Sequence, residues 1–326
     1  MLLKGFLWLV VCCAVAIGAA ADTDDSAVAL EFINQARSGL QPLSCHPLLS
    51  KVAWHHSRYM AANNSRGHRE QEDCPEFTGV TCAERLVTSG HPSRMYIENL
   101  STGQLSWQHS VQELMSAIYH RLGFLSFYID SIGLARATAI HKAYSKERKP
   151  FYSYVMTYSG YELLCAKGIS GDVNTICSDT NITVDSRELY KTIDEPALKS
   201  VEFVVYPWNE QQGVVPYFIN NEQPSPIAGK DIVGQPFSIH FNPAKFYGVP
   251  ILVLKVELVS EQQEVINLLP GMNKATDPNR KFTAFDFAWF PEEPLEDNTQ
   301  YTVRLLVVIG RKPQPISWSF HTGTSN

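Results

Sequence analysis

The stretch SAIYHRLGFL, residues 116–125, sets His120 and Arg121 side by side on a predicted amphipathic helix. Val111, Leu114, Met115, Ile118 and Leu122 fall within one apolar stripe at about 100° per residue, and Glu113, Ser116 and His120 fall on the opposite side. An imidazole on such a polar face can ligate a metal, move a proton near neutral pH or simply be solvated. Arg121 is expected to pair with a carboxylate inside the fold. The sequence has no H-E-x-x-H, G-x-S-x-G, P-loop or G-x-G-x-x-G pattern, so the common zinc-protease, esterase and nucleotide signatures are missing.

The cysteines must be read with the leader that precedes them. MLLKGFLWLVVCCAVAIGAAADTDD places Lys4 before an apolar run, then small residues, with Ala19 and Ala21 at the small-x-small positions. Residues 1–21 therefore read as a signal peptide cut between Ala21 and Asp22, and the chain as exported, either secreted or periplasmic. No second apolar run of spanning length follows, so no transmembrane segment is expected in the mature chain. In an oxidising compartment thiols pair and persist. Cys74 with Cys82 and Cys165 with Cys177 are the short-loop pairings favoured, which leaves Cys45 odd, and the other pairings stay open. Without C-x-x-C there is no support for a cysteine zinc knuckle.

Stepping along the chain shows what could position these groups. Leu30, Ile33, Ala36 and Leu40, then Leu49, Val52, Ala53, His56 and Met60, recur at helical spacing. After Gly123, SIGLARATAI and FYSYVMTYS are rich in β-branched and aromatic residues, and the charged stretch between them reads as a hairpin loop. Helices followed by such strands predict an α/β/α sandwich over 22–160. Residues 161–200 are polar with two cysteines and read as a disulfide-stapled linker. Beyond 200 the period changes to two. Leu252, Leu254, Val256 and Leu258 alternate with Lys255 and Glu257, and Tyr301, Val303, Leu305 and Val307 alternate likewise. Short strands between Pro, Asn, Asp and Gly turns predict an immunoglobulin-like β-sandwich over 201–326, so the fold class is α+β overall. With 27 basic against 33 acidic residues and no basic cluster, nucleic acid is not an expected partner.

In order along the chain stand Asn34 and Arg37, GLQPL, a second helix ending near Met60, Gly67-His68, FTG, Glu98-Asn99, His120-Arg121 and SIGLA. This series resembles the CAP superfamily, the cysteine-rich secretory, antigen 5 and pathogenesis-related proteins (SCP-like domain), over about residues 25–160, and especially its secreted bacterial members. The resemblance implies a cleft in which His68, Glu98 and His120 face one another. Two imidazoles and a carboxylate would suit a divalent metal, zinc first. Family members often carry a second glutamate before the last histidine; here only Glu113 could substitute, out of the usual register. Asn99 is expected to brace a loop through side-chain to backbone hydrogen bonds. His55, His56, His91 and His109 match no family position and are expected on helix surfaces or loops.

Two functions follow. The favoured one is a non-catalytic extracellular binding module, its cleft holding a divalent metal or a small apolar ligand, with an extracellular protein or envelope surface as the other class of partner. The alternative is a metal-dependent, peptidase-like hydrolase in which Glu98 is the base for a metal-bound water.

Overall fold

The structure is a computed structural model that describes residues 25–140, 148–168 and 170–325. The expected signal peptide and residues 141–147 of the expected hairpin loop lie outside the described residues.

Helices α1 (Ser26–Ala36), α2 (Pro47–Asn63) and α3 (Cys82–Ser89) precede α4 (Trp107–Ser116) and α5 (Ile118–Phe124). Between and after them run β1 (Ser44–Cys45), β2 (Ile97–Thr102), β3 (Ile129–Ile140) and β4 (Arg148–Tyr158), which form one sheet in the order β1-β3-β4-β2. Because alternate residues of a strand point to opposite faces, β4 serves two cores. Tyr152, Tyr154 and Met156 meet Ile33 of α1 and Val111, Leu114 and Met115 of α4. Val155 on the opposite face meets Leu49, Val52 and Ala53 of α2 and Leu86 of α3. This is the expected α/β/α sandwich. Gly133 lets α2 sit directly on the sheet, since a Cβ there would lie 2.0 Å from the Leu49 carbonyl carbon.

The apolar stripe expected along a single helix is divided. The chain breaks at Ala117, whose ψ of 115° is extended, so α4 and α5 are separate helices. Val111, Leu114 and Met115 enter the core of the first unit. Ala117 and Ile118 instead pack, with Tyr119 and Leu122 beside them, against residues far downstream.

Residues 161–200 carry two helices, α6 (Tyr161–Lys167) and α7 (Ser186–Lys199), and the expected Cys165–Cys177 disulfide staples α6 to the segment between them. Cys74 and Cys82 are not paired, which corrects the favoured short-loop bridge. Cys82 begins α3 and turns into the core against Leu49 and Leu86, whereas Cys74 sits in a loop bonded to Gln71.

After residue 200 come β5 (Phe203–Tyr206), β6 (Gln211–Val214), β7 (Tyr217–Ile219), β8 (Ile232–Gly234), β9 (Phe237–Phe241) and a short α8 (Pro243–Phe246). They are followed by β10 (Ile251–Ser260), β11 (Asp286–Trp289), β12 (Gln300–Ile309) and β13 (Lys312–Thr322). A sheet ordered β10-β12-β13-β6 and another ordered β11-β9-β5 close on one apolar core containing Phe237, Ile239, Leu258, Trp289, Val303, Leu305 and Trp318. Burying each such side chain contributes about 1.5–3 kcal/mol. Tyr301, Val303, Leu305 and Val307 all point inward, as their alternation predicts. On β10 the alternation fails: Val253 pairs with Val307 and Lys255 with Leu306, leaving Leu254 as an extra residue. This bulge turns Leu252 and Leu254 outward, 59% and 60% exposed, while Leu258 stays in the core.

Candidate functional site

The pair made by His68 and Glu98 lies within the α/β/α unit. Glu98, on β2, is buried between Arg85 and His68. Arg85 Nη2 donates to its Oε1 at 2.6 Å, and His68 Nδ1 donates to its Oε2 at 2.9 Å. Burial alone would raise the Glu98 pKa, but the His68 bond and the Arg85 charge outweigh it and hold the carboxyl at about 2. The same Arg85 lies 3.7 Å from Glu70, a buried carboxylate that also accepts from the backbone of Thr78 and Gly79. Glu70 in turn meets His56 Nδ1 at 2.8 Å, and His56 Nε2 reaches the carbonyl of Gly67, the residue before His68. His56, expected on a helix surface, is thus fully buried and holds the loop that presents His68.

The pair made by His120 and Glu222 crosses the molecule. His120 Nδ1 donates at 2.7 Å to Glu222, which lies in the loop between β7 and β8. The same Glu222 oxygen accepts from the backbone N–H groups of Tyr119 and His120. The first turn of α5 has orphan N–H groups, and Ala117 has no side chain to cap them; a carboxylate from the β-region does so, with the charge the helix end favours. Arg121 beside it is fully buried and meets no carboxylate, contrary to expectation. It donates to the carbonyls of Met115 and Pro236 and to Ser238 Oγ, and stacks at 4.5 Å over Tyr206. Burial lowers its pKa to about 10. Tyr119 adds a hydrogen bond to Asp277, and Asn279 donates to the Tyr119 hydroxyl at 2.9 Å.

These placements do not fit a zinc ion on the expected set His68, Glu98 and His120. Both Glu98 oxygens are committed, and the nearest acid to His120 is Glu222. Glu113 does not fill the fourth position either: it accepts from Ser101 Oγ at 2.8 Å, at the far end of β2. Among the described residues, one group of three candidate ligands lies within metal-holding distance, and it is His46, His91 and Glu162. Each family-position histidine spends Nδ1 on a buried carboxylate and leaves Nε2 without a hydrogen bond among the described residues. Asn99 braces as expected, donating to the His120 carbonyl at 2.9 Å.

Residues 30–158, which contain both histidines and Glu98, match the model of the cysteine-rich secretory protein family, CAP. The chain carries a CAP domain. A solved extracellular protein containing an SCP domain, from Bacillus anthracis str. Ames, is 18% identical, with a TM-score of 0.31, over 40% of this chain and 39% of its own. No curated protein matches the sequence. Among the described residues no helix is long and apolar enough to cross a membrane.

Arg85, Glu222 and the His56–Glu70 pair were not legible as parts of the CAP site. A helix spacing places Arg85 four residues after Thr81 on α3, but nothing local says which carboxylate it meets. Glu222 is 102 residues from His120, and only the folded chain joins them.

Proposed function

We propose that this is an exported CAP-domain protein that acts by binding and not by catalysis. The observation that carries this reading is the state of Glu98. A general base must take a proton near neutral pH. Glu98, held at about 2 by His68 and Arg85, is poorly suited to do so. Export rests on the leader sequence, and the Cys165–Cys177 disulfide is compatible with an oxidising compartment, secreted or periplasmic.

The ligand class is a small apolar molecule, received by the β-region. A groove of about 780 Å³ runs between β10 and the 271–275 segment, with Leu252, Leu254, Met272, Phe287 and Trp289 in its wall. Bulges commonly re-aim side chains at functional places. The one on β10 turns two leucines into this groove instead of the core. The β-region itself is read as immunoglobulin-like. In support, three antiparallel strands face a second sheet in which β10, β12 and β13 are consecutive antiparallel neighbours and β6 runs parallel to β13.

Titration of the mature chain with palmitate, followed by tryptophan emission, tests the binding reading. A saturable change is expected in the wild type, weakened at least about tenfold in Leu254→Asp. No saturable change, or equal binding by Leu254→Asp, contradicts it. Concentration-dependent self-association through this face would assign the groove to a second copy instead.

A further inference from the structure

His46, His91 and Glu162 come from three separate segments: the residue before α2, the turn after α3 and the first turn of α6. One nitrogen of each imidazole and one carboxylate oxygen all lie within 4.8 Å of one another. His46 Nε2 and Glu162 Oε2 are 3.2 Å apart. Ligands about 2.0–2.1 Å from a tetrahedral zinc ion stand about 3.3 Å from each other, so this separation is already that of two corners of a coordination tetrahedron. We propose that these three residues form a divalent-cation site, best suited to Zn²⁺, with the fourth position open to water.

The donor chemistry supports the assignment. His91 is buried, and its Nδ1 meets the Ser93 carbonyl at 2.7 Å. The Ser93 N–H also lies 3.2 Å from this Nδ1, but the carbonyl contact is the shorter, and with Nδ1–H given to it the Nε2 lone pair is left for a metal, the usual arrangement behind a ligating histidine. The two rings stand edge to face with centroids 5.4 Å apart. His46 presents Nε2 to Glu162, and its buried Nδ1 has no hydrogen-bond partner among the described residues. Glu162 is half-exposed, which gives an ion a path from solvent.

The frame around the three is rigid. The His46 N–H donates to the Ile132 carbonyl of β3, which fixes the start of α2 on the sheet. Gly90 ends α3 at a φ of +83°, a left-handed turn that side chains resist, and so aims the chain at His91. Ser178, next to Cys177, donates through Oγ to the His91 carbonyl at 2.6 Å, and Arg94 N–H donates to the Ile176 carbonyl. The disulfide ties Cys177 to Cys165, on the same short helix as Glu162. Sequence gave no signal for this site, since its members are 45 to 116 residues apart and match no ligand spacing; His91 was expected on a loop or helix surface.

The test is calorimetric titration of the chelator-stripped mature chain with zinc chloride, comparing wild type, His46→Ala, Glu162→Gln and His68→Ala. One equivalent of zinc is expected to be lost in His46→Ala and weakened at least about tenfold in Glu162→Gln, and retained in His68→Ala. Glu162 is half-exposed, so circular dichroism of Glu162→Gln should match the wild type and exclude misfolding as the cause. No zinc binding by the wild type, unchanged binding in both His46→Ala and Glu162→Gln, or loss of all binding in His68→Ala overturns the proposal.

Discussion

The His68–Glu98 and His120–Glu222 pairs are built alike and held differently. His68 and Glu98 are 30 residues apart and close within one unit, where Arg85 neutralises Glu98 from behind. His120 borrows its carboxylate from the β-region, and the neighbouring Arg121 feels the Glu222 charge but gives its hydrogen bonds to carbonyls and a hydroxyl and stacks on the Tyr206 ring. The first pair is electrostatically self-contained. The second exists only while α5 and the β7–β8 loop stay docked, with Ile118, Phe218, Val233 and Phe290 packed beneath it. A histidine of the first unit can therefore take its acidic partner from another part of the chain.

The contrast predicts where damage is largest. Arg85→Met leaves Glu98 and Glu70 buried without their cation, and breaking a buried pair from one side costs about 3–5 kcal/mol. Chemical denaturation should show a loss of that order, and a loss under about 1 kcal/mol would mean that water or rearrangement compensates the carboxylates. Acid should reveal the same pair. Glu98 is depressed from 4.5 to about 2, so the stability it contributes is present above the unfolded value and is lost as pH falls from about 4.5 through about 2. For a group this buried the contribution is about 3 kcal/mol, and it should be absent from Glu98→Gln in a pH series of unfolding curves.

Smaller effects are expected at the joint between the regions. Glu222→Gln keeps an acceptor for the α5 N–H groups but removes the charge, which should cost about 1–2 kcal/mol, measured by the same denaturation. The least effect is one of rate. Cys82 is buried, and burial pushes its thiol well above the usual range, beside Glu98 and Arg85. Iodoacetamide should modify exposed Cys45 quickly in the native protein and Cys82 only as fast as the inner pair opens. Equal rates would show that this region is loose.

The layers of the fold were legible because periodicity reports burial. The α2 positions Leu49, Val52, Ala53 and Met60 are all buried, and so are Tyr301, Val303, Leu305 and Val307 on β12. Two local features overrode it. The break at Ala117 sends Ile118 and Leu122 to a different core from Val111, and the Leu254 bulge reverses part of β10. The residue classes of the site were also legible through the CAP resemblance, but their partners were not. Short separation made Cys74 and Cys82 attractive as a bridge, whereas the inward turn at the start of α3 decides against it. Carboxylate partners such as Glu222 are set by docking of distant segments, for which no local pattern exists.

The central claim is that His120 is completed by Glu222 across the two regions. A double-mutant cycle on folding stability with His120→Ala and Glu222→Ala tests it most directly, because it isolates the term that needs both side chains. A coupling of about 1 kcal/mol or more is expected from a hydrogen bond to a buried carboxylate. Effects that add to within about 0.5 kcal/mol would show that the two groups act independently, and would contradict the account.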